Sequence, residues 1–358
     1  MITLSVMSLE PFSGKSAVCV GLGHHFQRNG LKVGYMRPIT TAVKRVGTRL
    51  IDEDANFMRR ALGLTESAAA IWPVGLDPLV VERVLRGEGN DYARQIKEAF
   101  AIISKDKDIM IIEGGGSLVE GSMVDLPTYQ IAELFHARAL VVVRYDNDLV
   151  VDEILGSRTL LGDSMLGTVL NAVPQYRVDF VEKSVIPFLE KHGVPVYAVL
   201  PQQRIFLSVT VREIAEVLGG EVLCCDDRLE ELVENLMVGA MSVDSALTYF
   251  RRKPNKAVIT GGDRPDIQLA ALETSTKCLV LTGNLYPSPI ILCRAEELGV
   301  PMILVKHDTL TAVQLLEEIF GKARFHQDKK IARFERMMEE RFNFARLYNA
   351  LGLEPARG

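Results

Sequence analysis

Ile2-Thr3-Leu4-Ser5-Val6-Met7-Ser8-Leu9-Glu10-Pro11-Phe12-Ser13-Gly14-Lys15-Ser16 opens the chain as an apolar strand and a turn-rich loop, followed by a helical run from Ser16 to Arg28. A strand that feeds a short loop into a helix lets backbone N–H groups cradle a phosphate. The order predicts that the N–H groups of Ser13, Gly14, Lys15 and Ser16 face an anion at the positive end of the helix. Lys15 would add a compact charge, and the Ser16 hydroxyl would hold Mg²⁺. The full pattern G-x-x-x-x-G-K-[ST] calls for glycine where this chain has Leu9, so the loop is a variant. The plainer alternative is a polar helix start with Ser13 as its N-cap.

Outward from the loop, apolar β-branched runs alternate with amphipathic stretches, the signature of βαβ units and a mostly parallel sheet flanked by helices. Strands are expected near 2–7, 33–37, 109–113, 139–144, 165–171 and 196–200, with helices near 54–62, 92–104, 126–135, 149–161 and 179–192. Past Pro201 the alternation restarts with a helix near 209–218 and strands near 221–225, 236–241, 257–260, 278–281 and 302–305. The fold class is therefore α/β: a P-loop-type nucleotide-binding domain over 1–205, a smaller α/β domain over 209–322, and a C-terminal helix and tail over 323–358. The apolar positions Ile331, Phe334, Met338, Phe342 and Ala345 predict one helix that docks back, with its charges as a solvated face.

Composition narrows the function classes. The 358 residues exceed the roughly 100–200 of one domain, and 48% hydrophobic residues can fill a core. A formal net charge of -5 lacks the basic excess of a nucleic-acid binder. No apolar run approaches the ~18 residues of a membrane span, and the chain start reads as a strand rather than a signal, so a cytoplasmic protein is expected. Cys19, Cys224, Cys225, Cys278 and Cys293 lack zinc spacing and are read as reduced thiols. His24-His25 is expected at the surface, and the segment from Trp72 to Leu79 as an irregular packing loop.

Acids are placed to complete the phosphate site. Glu113 ends the apolar run Ile109 to Ile112 and precedes Gly114-Gly115-Gly116, which puts a carboxylate at the carboxyl edge of the sheet and suggests close backbone approach to a ligand. Asp54, within Asp52-Glu53-Asp54-Ala55, is either a second metal ligand or an acid favouring the helix dipole.

These motifs, with Arg37-Pro38-Ile39-Thr40-Thr41, Val169-Leu170-Asn171 and Leu200-Pro201, occur in the order seen in dethiobiotin synthetase, which the first domain resembles. The resemblance implies ATP with Mg²⁺ held by the loop and by acids matching Asp54 and Glu113, an adenine contacted near Asn171, and carbamate phosphorylation. Cobyrinic acid a,c-diamide synthase shares that core. Arg37 stands where the family carries lysine, and the two are not interchangeable at a site needing a compact charge. Arg37 is thus read either as catalytic beside Lys15 or as a strand-end arginine paired with an acid. Asn171 is compatible with reading the edge of either purine, in ATP or GTP, while a lone asparagine at a strand end reads otherwise as a turn residue.

In the second domain three turns follow apolar strands: Thr260-Gly261-Gly262-Asp263-Arg264-Pro265-Asp266, Thr282-Gly283-Asn284 and Lys306-His307-Asp308-Thr309. Parallel strands would bring them to one edge, making Gly261, Gly262, Asp263, Arg264, Asp266 and Asn284 candidates for a second ligand site. The stretch resembles the DRTGG domain over about 209–322. The pairing looks like the amino-terminal half of long phosphotransacetylases, implied to be regulatory, and the chain is expected to lack their acyltransferase domain. The leading expectation is a Mg-nucleotide-binding regulatory or sensor protein, a homo-oligomer acting on a separate acyltransferase or metabolic enzyme. The rival is an ATP-dependent ligase that activates a carboxylate or carbamate by phosphorylation.

Overall fold

Six apolar runs of the first half pair side by side in the computed structural model, which describes residues 1–47, 49–320 and 325–354. They are β1 (Ile2–Ser8), β2 (Val33–Met36), β3 (Ile109–Glu113), β4 (Arg138–Arg144), β5 (Met165–Val173) and β6 (Val196–Pro201). The sheet order is β6-β5-β4-β1-β3-β2, with every pairing parallel. Such a sheet is covered on both faces, which is why β2 and β3 are buried at every position. The register sets Val6 opposite Glu113, Ser8 opposite Val142 and Arg144 opposite Asn171. One carboxyl edge therefore carries the start of the phosphate loop, Glu113 and Asn171.

Two helices shape that edge. Helix α1 (Lys15–Arg28) leaves the loop, and α2 (Glu53–Ala61) begins at Asp52, whose carboxylate caps the Ala55 N–H at 2.9 Å. The N-cap of α1 is Gly14, not Ser13, and it makes no side-chain cap bond. Short ribbons pair Ile39–Thr40 with Val74–Gly75 and Val43–Val46 with Arg49–Asp52, so the stretch near Trp72 is partly regular rather than an irregular loop.

The terminal segment forms two helices, Asp328–Arg341 and Phe344–Leu351, where the apolar spacing predicts one. Asn343 breaks the run by capping the Arg346 N–H at 2.9 Å, while its own N–H donates to the Tyr197 carbonyl of β6 at 2.8 Å. Both helices belong to the first unit, which holds residues 1–202 and the chain from 325 onward. Their charges are not simply a solvated face. Glu335 pairs with His24 Nδ1, and Glu339 with Arg28 at 2.6 Å. His24 Nε2 meets the Ala61 carbonyl at 2.6 Å, and His25 stacks on Phe344 with ring centroids 3.5 Å apart. The histidine pair is thus covered by the terminal helices, and burial, then Arg28, lowers the His25 pKa.

The second unit begins at 203. Its sheet comprises β7 (Glu221–Cys224), β8 (Asn235–Val238), β9 (Lys256–Gly261), β10 (Thr276–Thr282) and β11 (Met302–Leu304), in the order β7-β11-β10-β9-β8. Only the β7 pairing is antiparallel. Val209–Thr210 is a short strand against Leu232–Val233 rather than helix. The helix starts at Val211 because Thr210 and Glu213 close a capping box there.

The five cysteines are free thiols. Among the described residues no helix is long and apolar enough to cross a membrane, and no three His, Cys, Asp or Glu side chains cluster to hold a metal.

Candidate functional site

Ser8 anchors the phosphate loop: its hydroxyl donates to the carbonyls of Gly115 at 3.3 Å and Gly116 at 3.5 Å. Gly14 turns the chain into the helix at φ +92°, a left-handed conformation that glycine adopts without strain. A Cβ there would lie 2.2 Å from Asn171 Nδ2, which donates to the Ser13 carbonyl at 2.8 Å. Asn171 lies inside β5 rather than in a turn and braces the loop from the sheet.

Lys15 is buried, yet among the described residues no carboxylate or hydrogen-bond acceptor engages its ammonium. Ser13 Oγ is buried with no partner. Ser16 Oγ donates to Glu113 Oε1 at 2.7 Å, and the second Glu113 oxygen accepts from Tyr35 OH at 2.8 Å. Burial, then the Glu113 charge, pushes the Tyr35 phenol well above its ordinary value, so it stays a donor. Beneath them, burial raises the Cys19 thiol likewise, which makes it inert core. A serine hydroxyl touching a buried carboxylate, beside an uncompensated lysine and an unpartnered loop hydroxyl, is a donor set that fits a divalent cation with a polyphosphate.

Arg37 follows β2, with its backbone N–H on the Ile71 carbonyl at 2.8 Å. Its guanidinium lies 3.7 Å from both Asp52 Oδ2 and Asp54 Oδ2, and its buried Nε has no partner. Burial works against the charge, but Glu113, Tyr35, Asp52 and Asp54 outweigh it and raise the pKa, so Arg37 is permanently cationic. Of the acids in the Asp52–Asp54 stretch, Asp52 is fully buried and spent on Ala55 and on Thr40 Oγ1 at 2.5 Å. Asp54 is partly exposed, and its Oδ1 lies 3.0 Å from His326 Nε2. Sequence reading missed His326, because 272 positions separate it from Asp54 and no local pattern marks it.

The three glycines after Glu113 are crowded by protein, contrary to the expected approach of a ligand. A Cβ on Gly114 would meet Thr128 Cγ2 at 2.5 Å, one on Gly115 would meet Glu120 Cδ at 2.6 Å, and one on Gly116 would meet Glu120 Oε2 at 3.0 Å. Glu120 accepts the Gly116 N–H at 2.5 Å.

In the second unit the register sets Gly261 opposite Thr282 and Leu281 opposite Leu304, so the three turns share one edge. Gly262 packs against backbone, where a Cβ would fall 1.7 Å from the Leu285 carbonyl oxygen. Arg264 is engaged rather than free: Nε and Nη2 donate to the Asp266 oxygens at 3.0 and 2.9 Å, and Nη2 also reaches the Met241 carbonyl at 3.2 Å. Buried Gln268 donates to the carbonyls of Gly261 and Gly262, leaving its Oε1 unpartnered. Asp263 is exposed, and Asn284 is exposed in a left-handed turn at φ +56°, its N–H on the Val305 carbonyl at 2.9 Å.

Residues 3–208 match the family model described as an AAA domain, and residues 213–319 match the DRTGG domain. The chain is similar to a phosphate acetyltransferase of Nitratidesulfovibrio vulgaris, 26% identical over 370 residues, covering 97% of this chain and 52% of that protein. It thus spans about half the length of that curated relative. A similar stretch of 120 residues in the ATP-dependent dethiobiotin synthetase of Caldicellulosiruptor saccharolyticus is 27% identical, covering 33% of this chain and 49% of that one. Among solved structures, the CBS and DRTGG regulatory region of Clostridium perfringens pyrophosphatase, complexed with diadenosine tetraphosphate, aligns at 18% identity and TM-score 0.29. It covers 43% of this chain and 73% of that one.

Proposed function

The chain belongs to the AAA domain family, and from that premise we propose that it binds a magnesium nucleotide through the loop from Ser8 to Ser16 and acts as a regulatory sensor. One observation carries the reading: Ser16 Oγ lies 2.7 Å from buried Glu113 while neighbouring Lys15 has no counter-charge among the described residues. An ammonium without a counter-charge beside a loop of backbone N–H groups at a helix start favours an arriving anion. The N–H groups of Ser13 to Ser16 and the Lys15 ammonium would hold the β-phosphate, and Asn171 would face the base. Ser16, Glu113 and Asp54 would hold Mg²⁺, which when bound neutralises phosphate charge.

A regulatory role is supported by similarity to a phosphate acetyltransferase over 97% of the chain. The regulated partner on this reading is an acyltransferase or related metabolic enzyme in the cytoplasm, met by a homo-oligomer of this chain. A second ligand at the Gly261 to Asp266 turn and Asn284 would have to displace Asp266 from Arg264.

The test is thermal stability of the wild type and Lys15→Ala with ATP, GTP or neither, each with Mg²⁺. Ligand at 100 times its dissociation constant adds about 2.7 kcal/mol. A shift present in the wild type and absent in the variant supports the site and identifies the base. No shift with either nucleotide at millimolar concentration refutes it.

One observation favours the second reading, an ATP-dependent ligase. Arg37 is buried beside the phosphate edge, permanently charged and with Nε unpartnered, as a group receiving a substrate carboxylate or carbamate would be. Substrate-stimulated phosphate release at about 1 per second or faster would establish turnover and displace the sensor reading.

A further inference from the structure

Asp54 is held from two sides by residues that the chain brings from far apart. Its Oδ2 faces Arg37 Nη1 at 3.7 Å, and its Oδ1 lies 3.0 Å from His326 Nε2. A carboxylate only accepts, so Nε2 carries the proton and donates. The imidazole is itself fixed: it stacks on Phe57, one turn further along α2, with ring centroids 4.5 Å apart and planes 24° from parallel. Phe57 is 5% exposed, so the stack rests on the core. The preceding Phe325 packs edge-on against buried Phe334 at 5.4 Å, which ties the segment to helix Asp328–Arg341. That helix is tied in turn to α1 through Glu335 with His24 and Glu339 with Arg28.

We infer that His326 is a positioning residue of the nucleotide site: it fixes the Asp54 carboxylate for the incoming divalent cation. The inference rests on the proposed magnesium-nucleotide reading. A metal-binding carboxylate with free rotamers pays entropy on each binding event, and an outer donor that locks it removes that cost. Arg37 is shared: its Nη1 sits at the same 3.7 Å from Asp52 as from Asp54, whereas the shorter contact to Asp54 is that of His326. The phosphate site of the first unit is on this account completed by the segment that returns after the second unit has been built.

The experiment titrates Mg²⁺ against a fixed ATP concentration in the full chain and follows the ATP-induced rise in melting temperature. Variants are His326→Ala, His326→Gln, Asp54→Asn and Lys15→Ala. Loss of an outer-shell partner lowers metal affinity by about 10- to 100-fold. His326→Ala is therefore expected to raise the Mg²⁺ concentration for half-maximal shift by at least about 10-fold, with the small shift in ATP plus EDTA unchanged. His326→Gln, which keeps a side-chain N–H donor, recovers part of the loss, and His326→Ala adds nothing in an Asp54→Asn background. An unchanged or lowered Mg²⁺ requirement in His326→Ala overturns the inference, as does an Asp54→Asn variant that binds like wild type. In both of those cases the phosphate-loop reading still stands if Lys15→Ala abolishes the shift. No ATP shift in the wild type overturns both. Melting of each variant without ligand separates misfolding from lost metal, and His326→Gln carries the test if His326→Ala does not fold.

Discussion

The carboxyl edges of the two sheets are built from the same parts and end in opposite electrostatic states. In the first unit, parallel strands deliver Lys15 with no counter-charge among the described residues, Ser13 Oγ with no partner, and Arg37 with an unpartnered Nε. In the second, the equivalent edge satisfies itself: Arg264 is forked onto Asp266, and the Leu285 carbonyl occupies the space beside Gly262. Among the buried side chains of the described residues there, Gln268 Oε1 is left over. Parallel topology thus creates a place for a ligand without creating a demand for one. The demand comes from buried polar groups that the chain leaves unpaired.

The largest effect that would sharpen this contrast is at Gly262. A Cβ there meets a backbone carbonyl at 1.7 Å, and backbone cannot rotate away. Gly262→Ala should cost the second unit about 3 kcal/mol, the upper end for overpacking, in denaturant unfolding. The ATP-dependent shift of the first unit should survive. Gly14→Ala is the counterpart, because its obstacle is the Asn171 side-chain nitrogen at 2.2 Å, which can move. Its cost is the left-handed backbone, about 1–2 kcal/mol, together with loss of nucleotide binding. Equal stability losses and retained binding in both variants would break the contrast.

Next in size is Lys15→Ala, expected to forfeit the roughly 2.7 kcal/mol that saturating nucleotide adds, while changing stability without ligand much less. Arg264→Ala should do less still. Its ion pair with Asp266 is partly exposed, and pairs of that kind contribute about 0–1 kcal/mol. A loss above that range on urea unfolding would mean that Arg264 holds the Met241 loop in place, and the second edge would then be more tightly built than the contrast allows.

The skeleton of this contrast was legible in the sequence because it is local. The Ile109 to Glu113 strand and the helix from the Gly14-Lys15-Ser16 start to Arg28 are each fixed by neighbours within a few residues, and the structure places them within a residue of where they read. What could not be read depends on distant partners. Gly114 to Gly116 look like a ligand cradle, but their space is taken by Thr128 and Glu120. Arg264 looks like an anion receptor until Asp266 is seen to hold it. The terminal run has unbroken apolar spacing through Phe342, yet Asn343 pairs with β6 and splits it. His326 carries no local signal, and its role depends on where the chain returns after the second unit.

The smallest expected effect is a pH dependence of the second unit, and it turns on a buried cation unlike Lys15. Lys256 at the start of β9 is fully buried; its Nζ donates to Thr274 Oγ1 at 2.8 Å and the Ser275 carbonyl at 3.0 Å, with the Phe250 ring 5.8 Å away. Both neutral acceptors are already in place, so no anion is called for, and burial lowers its pKa to about 8. Unfolded, the group would titrate near its ordinary value of 10.5, so above pH 8 the unfolded chain holds the extra proton and stability rises with pH. The thiols of Cys224 and Cys278, which burial pushes up to about 12, act in the opposite sense once pH passes 9. The gain is therefore visible between pH 8 and 9 and is offset above. Urea unfolding of the second unit at pH 7, 8 and 9 should show the rise in wild type and a flat response in Lys256→Met. A rise that persists in the variant would assign it to another group. A fall between pH 8 and 9 in wild type would mean that Lys256 keeps its proton in the folded state.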